Sequence, residues 1–190
     1  MKRIVIFASG SGTNAENLIK FFQNRHNASV VLVLTNNAYA KVLDRCKNLK
    51  VSAMSFNKIA FTETNDVLNV LKASNPDLII LAGFLWKFPE AILNEFPNKV
   101  INIHPALLPK YGGKGMFGMH IHEAVVGNKE TETGITIHYV NEHYDEGAII
   151  FQAKCDVRPS DSADDVAAKI HELEMEHFPE VVEKLLLNNL

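Results

Sequence analysis

Arg3-Ile4-Val5-Ile6-Phe7-Ala8-Ser9-Gly10-Ser11-Gly12-Thr13-Asn14-Ala15 decides the fold of this 190-residue chain. Its first six residues are a short β-rich run, apolar nearly throughout, as a strand buried in a parallel sheet requires. Glycines then break the run, and Leu18, Ile19, Phe21 and Phe22 follow at helical spacing within 15–24. The pattern repeats outward. Residues 30–34 and 78–82 read as buried strands, 51–55 as a shorter one, and 39–48 and 65–73 as helices. Strand and helix in alternation predict an α/β fold: a mostly parallel, twisted, Rossmann-like sheet with helices on both faces and right-handed crossovers.

Beyond residue 82 the rhythm changes. A helix is expected over 89–96 with Pro89 in its first turn, a short strand over 100–103, and a loop over 105–118 holding Pro109 and four glycines. Residues 120–126 resume a helix. The runs 134–140 and 148–157 suggest two late strands with antiparallel pairing. The chain closes on a helical region over 160–188, with Ser162 and Asp165 as a capping box and a kink at Pro179. No linker or repeat stands out, so 1–190 reads as a single domain.

Composition bounds the function. Apolar residues make up 47% and charged residues 22%, the proportions of a soluble globular protein. A formal net charge of −3 without a basic run argues against a nucleic-acid or membrane-surface binder. The two cysteines, Cys46 and Cys155, lie far apart, so neither a disulfide framework nor a structural zinc site is expected. A strand-like run almost at the first residue leads us to expect no signal peptide, and no apolar stretch reaches membrane-spanning length. A reduced, cytoplasmic protein is the expectation.

Two motifs carry chemistry. The glycine loop joins the first strand to the first helix, where backbone N–H groups and a helix N-terminus make an anion site. Gly10-x-Gly12-x-x-Ala15 also fits a dinucleotide pattern. The second strand, however, ends in Leu34-Thr35-Asn36-Asn37, without the acidic residue that would hold a ribose hydroxyl. Ser11, Thr13 and Asn14 suit a small terminal phosphate better, and a tight turn that simply needs glycine is the plain alternative. The second motif is Asn102-Ile103-His104-Pro105 with Asp145 some way downstream. Residues two apart in a strand share a face, so Asn102 and His104 would project together as donors for an oxygen that turns negative. Asp145 could keep that imidazole protonated. Asn102 and His104 capping a turn before Pro105 is the plain alternative here.

Ser9-Gly10-Ser11-Gly12-Thr13-Asn14, Leu81-Ala82-Gly83-Phe84, Asn102-Ile103-His104-Pro105-Ala106-Leu107-Leu108-Pro109 and Asp145-Glu146-Gly147, in this order, resemble the folate-dependent formyltransferase family. Within it they resemble the phosphoribosylglycinamide formyltransferases, the GAR transformylases. The resemblance covers nearly the whole chain. It implies formyl transfer from 10-formyltetrahydrofolate, as cosubstrate, to the amine of phosphoribosylglycinamide in purine biosynthesis. It implies that Asn102, His104 and Asp145 are catalytic, and that Gly12, Thr13 and Asn14 bind the phosphate. Glu174 would hold the ribose hydroxyls, and His171 stands where relatives carry a Lys or Gln near the phosphate. Leu85, Trp86, Lys87 and Phe88 match the segment whose backbone grips the pterin ring. Leu93, Asn102 and the 140–145 loop from Val140 to Asp145 would line the rest of that pocket. No metal is implied. Small-molecule substrates are the only partners, with no nucleic acid or membrane, in a monomer or homodimer.

Departures also show. Trp86 and Lys87 are unexpected residue types there, the 112–118 glycine loop is longer than the resemblance implies, and a folate-contacting Arg expected near Ala60 is absent. Three other functions compete. A formyltetrahydrofolate hydrolase would use the same Asn, His and Asp, but usually with an N-terminal regulatory domain. A methionyl-tRNA formyltransferase would need an RNA-binding domain and basic surface. A Rossmann-like nucleotide-binding module would have no chemistry. His120 and His122 lack an acidic or cysteine partner at metal-binding spacing. His138 and His143 read as ordinary polar residues beside the Asp145 loop.

Overall fold

Strand β1 (Lys2–Phe7) alternates its side chains between two cores. Ile4 and Ile6 enter one cluster, Val5 and Phe7 the other, and all four are fully buried. A strand that feeds two cores must have a layer of structure on each face. This computed structural model describes residues 1–188; Asn189 and Leu190, the end of the expected 1–190 domain, lie outside the described residues.

Around β1 the chain adds α1 (Thr13–Gln23), β2 (Ala28–Thr35), α2 (Val42–Asn48) and β3 (Ala53–Ser55) on one side. After α3 (Lys58–Thr62) and α4 (Asp66–Ser74) it returns through β4 (Leu78–Ala82), α5 (Glu90–Glu95) and β5 (Val100–His104) on the other. Helix α6 (Met119–Gly127), strands β6 (Glu132–Tyr139) and β7 (Ile149–Asp156), and α7 (Ala163–Leu187) complete it. The seven strands form one sheet in the order β3-β2-β1-β4-β5-β6-β7. All pairings from β3 to β5 are parallel, and β5–β6 and β6–β7 are antiparallel. The expected architecture, including the late antiparallel portion, is the one observed.

Boundaries moved where local chemistry outweighed periodicity. Helix α2 starts at Val42 rather than at residue 39. The Asn37 side chain accepts the Tyr39 N–H at 2.9 Å, and its carbonyl accepts that of Ala40, holding a turn there. The short α3 was not anticipated, although Asn57 caps it by accepting the Ala60 N–H at 2.8 Å. Helix α7 carries Pro179 inside it, as the helical region expected over 160–188 does.

The face carrying α3, α4 and α5 holds an aromatic cluster. Phe7 meets Phe88 at 5.1 Å and Phe84 at 5.3 Å between ring centroids, both edge to face. Phe56, Phe61 and Trp86 pack around them. Such pairs add to the area they bury, and they fix the segment after β4 against the sheet. No helix among the described residues is long and apolar enough to cross a membrane.

Ser162 starts α7 with a complete capping box: its Oγ accepts the Asp165 N–H at 3.2 Å, and Asp165 accepts the Ser162 N–H at 2.9 Å. Ser162→Ala should cost about 1 kcal/mol and lower Tm by roughly 2–4 °C in a chain of this size. A calorimetric scan would check this.

Candidate active site

In an open parallel sheet, ligands bind beyond the carboxyl ends of the strands, where the strand order reverses. Here the reversal lies between β1 and β4. The chain leaves β1 for β2 on one side and returns at β4 on the other. A cleft of about 450 Å³ opens at that point, lined by residues 9–14 after β1 and by Ala82 and Gly83 at the end of β4. The two turns are stitched together. The Ser9 N–H donates to the Gly83 carbonyl at 3.0 Å, and the Leu85 N–H donates to Ser9 Oγ at 3.0 Å.

Gly12 is the N-cap of α1, with φ +72° and no side-chain cap. A Cβ there would lie 2.3 Å from Val42 Cγ2, so both conformation and space demand glycine. With no capping side chain, the first N–H groups of α1 stay available to an anion. Beneath the loop, Arg45 donates through Nε to the Ser11 carbonyl at 2.7 Å and pairs with Glu16. Arg45 therefore braces the loop rather than facing the cleft.

Helix α7 contributes Ala167, Ile170, His171 and Glu174 as one stripe at i, i+3, i+4 and i+7. Asn14 donates through Nδ2 to Glu174 Oε2 at 2.9 Å, and His171 Nδ1 lies 3.7 Å from the same oxygen. Burial pushes the Glu174 carboxyl above its usual range, against the pull of Asn14 and His171. The far side of the cleft is Met116, Phe117, Gly118 and His122.

Asn102 and His104 sit at the end of β5. Antiparallel pairing sets Asn102 opposite His138 and His104 opposite Thr136. Asn102 Nδ2 lies 3.0 Å from His138 Nε2, and His138 Nδ1 lies 2.9 Å from the Tyr139 carbonyl. The carbonyl takes the Nδ1 hydrogen, and Nε2 faces both the Asn102 amide and Asp145 Oδ1, 3.7 Å away. His138, read from the sequence as an ordinary polar residue, is 2% exposed and orients Asn102. Its place opposite Asn102 in the strand register was the signal that could have revealed it.

His104 is buried, and its Nε2 donates to the Tyr111 carbonyl at 2.8 Å. Its Nδ1 lies 3.6 Å from Asp145 Oδ1, an ion-pair distance rather than a hydrogen bond. Burial lowers the His104 pKa more than Asp145 and the Tyr111 carbonyl raise it. A standing imidazolium, expected from the sequence, gives way to a predominantly neutral ring at neutral pH. Asp145 stays ionised: burial raises its pKa, but His138, His104 and the Gly113 N–H, 2.9 Å from Oδ2, together take it below the usual carboxylate value. Asp145 itself has φ +58°, and the turn behind it is closed by Gly147, where a Cβ would fall 1.6 Å from the Tyr139 carbonyl.

On the other flank of Asn102 lies a shallow groove of about 40 Å³, walled by Leu81, Trp86, Lys87, Phe88, Val140 and Tyr144, with Asn102 and Asp145 at its edge. Leu85 lines the larger cleft instead, and Leu93 packs against the aromatic core away from the groove. Asn102 and Asp145 border the groove while His104 lines the cleft, so the three residues stand between the two cavities. No cluster of metal-binding side chains occurs among the described residues.

Residues 2–182 match the formyl transferase family. The phosphoribosylglycinamide formyltransferase of Bacillus subtilis is 32% identical over 197 residues, spanning 100% of this chain and 97% of that protein. That of Haemophilus influenzae is 34% identical over 187 residues, spanning 96% and 86%. The chloroplastic enzyme of Vigna unguiculata is 33% identical over 196 residues, a match that takes in 97% of this chain but 61% of the plant protein. This chain thus spans about three-fifths of that relative's length. In three dimensions it matches glycinamide ribonucleotide transformylase 1 from Geobacillus kaustophilus with a TM-score of 0.89 at 32% identity, covering 98% of this chain and 99% of that one. Sequence and fold agree over the same stretch of residues, and on both grounds the chain belongs to the formyl transferase family.

Proposed function

We propose that this chain, acting as one formyltransferase domain in the cytoplasm, transfers the formyl group of 10-formyltetrahydrofolate to the amine of 5-phosphoribosylglycinamide. The products are formylglycinamide ribonucleotide and tetrahydrofolate, a step of purine biosynthesis. The observation that carries this reading is Asn102, His104 and Asp145 standing between a polar cleft with an anion-binding loop and a groove with aromatic walls. Two substrates of different chemistry can meet at such a junction. Both are small molecules, and the reading invokes no nucleic acid, membrane or metal, in a monomer or a homodimer.

The groove suits a flat heteroaromatic ring in chemistry, with apolar faces from Leu81, Phe88 and Val140 and polar groups at its rim. Its volume is far below the ~300 Å³ of a usual ligand site. A pteridine would therefore need the groove to widen. When bound, the folate supplies an activated formyl carbon. The backbone of residues 85–88 and Val140 would orient its ring. Gly12, Thr13 and Asn14 would hold the substrate phosphate at the α1 N-terminus, with His171 beside it and Glu174 on the ribose hydroxyls.

The Asn102 amide has two hydrogens, and His138 uses one. The other would donate to the formyl oxygen as charge gathers there, an interaction stronger in the transition state than in the ground state. Neutral His104, with its Nε2 hydrogen on Tyr111, keeps a lone pair on Nδ1. That atom would take the proton the attacking amine gives up and return it to the departing nitrogen. Asp145 would stabilise the imidazolium between the two transfers. A hydrolase would use the same three residues with water as acceptor, but the 450 Å³ cleft and its anion loop favour a phosphorylated acceptor.

Alanine at Asn102 or His104 should reduce kcat by about 10²–10³ while the melting temperature stays near that of the parent; retention of a third of kcat would remove the residue from the chemistry. Thr13→Ala should raise KM for the phosphoribosyl substrate far more than for the folate, because the contact is remote from the transferred group. Equal effects on both would make the loop a folding element only.

Asp145→Asn tests the charge coupling. The neutral form of His104 is present above its pKa and lost as pH falls through it, so kcat/KM should show an acid limb below the ordinary histidine range. Removing the carboxylate removes a pKa-raising charge, so that limb should move to still lower pH while kcat drops sharply. A profile merely scaled down, with its limb unmoved, would limit Asp145 to positioning.

A further inference from the structure

Tyr111 links His104 to a polar cluster outside the cleft. Its carbonyl accepts the His104 Nε2 hydrogen at 2.8 Å. Its phenol faces a separate hollow of about 250 Å³, lined also by Lys110, Glu130 and Gln152. There the hydroxyl donates to Glu130 Oε1 at 3.0 Å and accepts from Asn128 Nδ2 at 2.9 Å. Lys110 Nζ donates to both Glu130 oxygens, each at 3.0 Å, and with Tyr111 it holds that carboxyl below its usual range. The proposed reaction uses none of these side chains.

The backbone at Tyr111 is held against its own preference. Its φ is +57°, a left-handed conformation that L side chains adopt at a cost. Gly112 and Gly113 follow it, so the chain has the freedom to turn that carbonyl elsewhere. The anchors of the phenol lack this freedom. Asn128 is the C-cap of α6, with its N–H on the Ala124 carbonyl at 2.9 Å, and the Glu130 N–H reaches the Val125 carbonyl at 3.1 Å. Val125 is fully buried, so the phenol is fastened to a helix end packed into the core.

The aim of the carbonyl decides which nitrogen of His104 carries the hydrogen. A neutral imidazole has only one, and the ionised Asp145, 3.6 Å from Nδ1, attracts it to that side. With the hydrogen on Nδ1, that nitrogen could accept no proton, and Nε2 would meet the Tyr111 carbonyl lone pair to lone pair. We propose that Tyr111 is a positioning residue: its phenol, anchored by Glu130 and Asn128, fixes the left-handed backbone so that its carbonyl keeps the His104 hydrogen on Nε2. The inference rests on the proposed function for its effect on turnover, but the state of the ring can be read without it.

Tyr111→Phe removes one oxygen and no charge. Glu130→Ala removes the same bond from the other side, and Glu130→Gln returns an amide oxygen that can accept it. Nitrogen NMR of the histidine-labelled, ligand-free protein should show His104 with its hydrogen on Nε2. In Tyr111→Phe and Glu130→Ala part of the population should carry it on Nδ1. The titration midpoint of the ring should also move to lower pH, because the Tyr111 carbonyl raises that pKa. The groups around the ring stay in place in these variants: Asp145 and His138 beside it, and His122, His171 and Glu174 across the cleft. In turnover each variant should lose about fivefold in kcat, the worth of one hydrogen bond, with both KM values within about twofold of the wild type. Glu130→Gln should recover most of the loss, and the double variant Tyr111→Phe/Glu130→Ala should be no worse than either single one.

Unchanged His104 nitrogen signals in both variants, a Glu130→Gln that behaves as Glu130→Ala, additive losses in the double variant, or a loss confined to either KM would each overturn the inference. A wild type that forms no formylated product, while both variants still shift the His104 hydrogen, would overturn the proposed function and leave this inference standing.

Discussion

Parallel pairing of β1, β4 and β5 is the constraint on which the rest of the molecule depends. Parallel strands deliver all their carboxyl ends to one edge of the sheet, so the turns that follow them are neighbours in space although far apart in sequence. The glycine loop after β1, the Gly83 turn after β4 and the Asn102–His104 pair at the end of β5 share an edge for this reason. The bond from Ser9 to the Gly83 carbonyl then holds two of these turns at a fixed separation. Two cores, one on each face, keep β1 and β4 buried and in register.

The change to antiparallel pairing at β6 does a different job. It lays His138 against Asn102 and Thr136 beside the segment after His104. Thr136 Oγ1 donates to the Ala106 carbonyl at 2.6 Å and accepts the Leu108 N–H at 3.0 Å, so the chain beyond His104 is clamped to β6. The β6–β7 hairpin then returns Asp145 to His104. Rigidity at Asn102 and His104 thus comes from strands, while the charge opposite them comes from a loop held by Gly113 and Gly147. A site needs both properties: fixed donors where charge develops, and a segment able to yield when a ligand enters the groove.

The fold was legible because its signals are local and strong. The apolar runs of β1 and β4, the helical spacing of Leu18, Ile19 and Phe22, and the Ser162–Asp165 box each state their element within a few residues. The short α3 escaped because five residues carry no periodicity, and only the Asn57 cap announced it. Helix α7 was legible across Pro179, and Phe178, Pro179 and Val182 are all buried in it. At the site, residue types and spacing revealed Asn102, His104 and the glycine loop. They could not reveal His138, whose importance comes from strand register, or the neutral state of His104. That state is a balance between burial and Asp145, and burial is a property of the folded chain alone.

The site is also tied to the loop beside it by two hydrogen bonds. His104 gives its Nε2 hydrogen to Tyr111, at the root of the 112–118 glycine loop, and Asp145 receives the Gly113 N–H two residues later. The loop that borders the cleft is therefore tied to both His104 and Asp145. Tyr111, Gly113, Gly115 and Gly118 all have positive φ, a backbone the glycines adopt at little cost and Tyr111 does not. A displacement of this loop reaches the His104 ring through the Tyr111 carbonyl, a contact that raises the ring's pKa. One backbone carbonyl thus joins the loop that borders the cleft directly to the His104 ring.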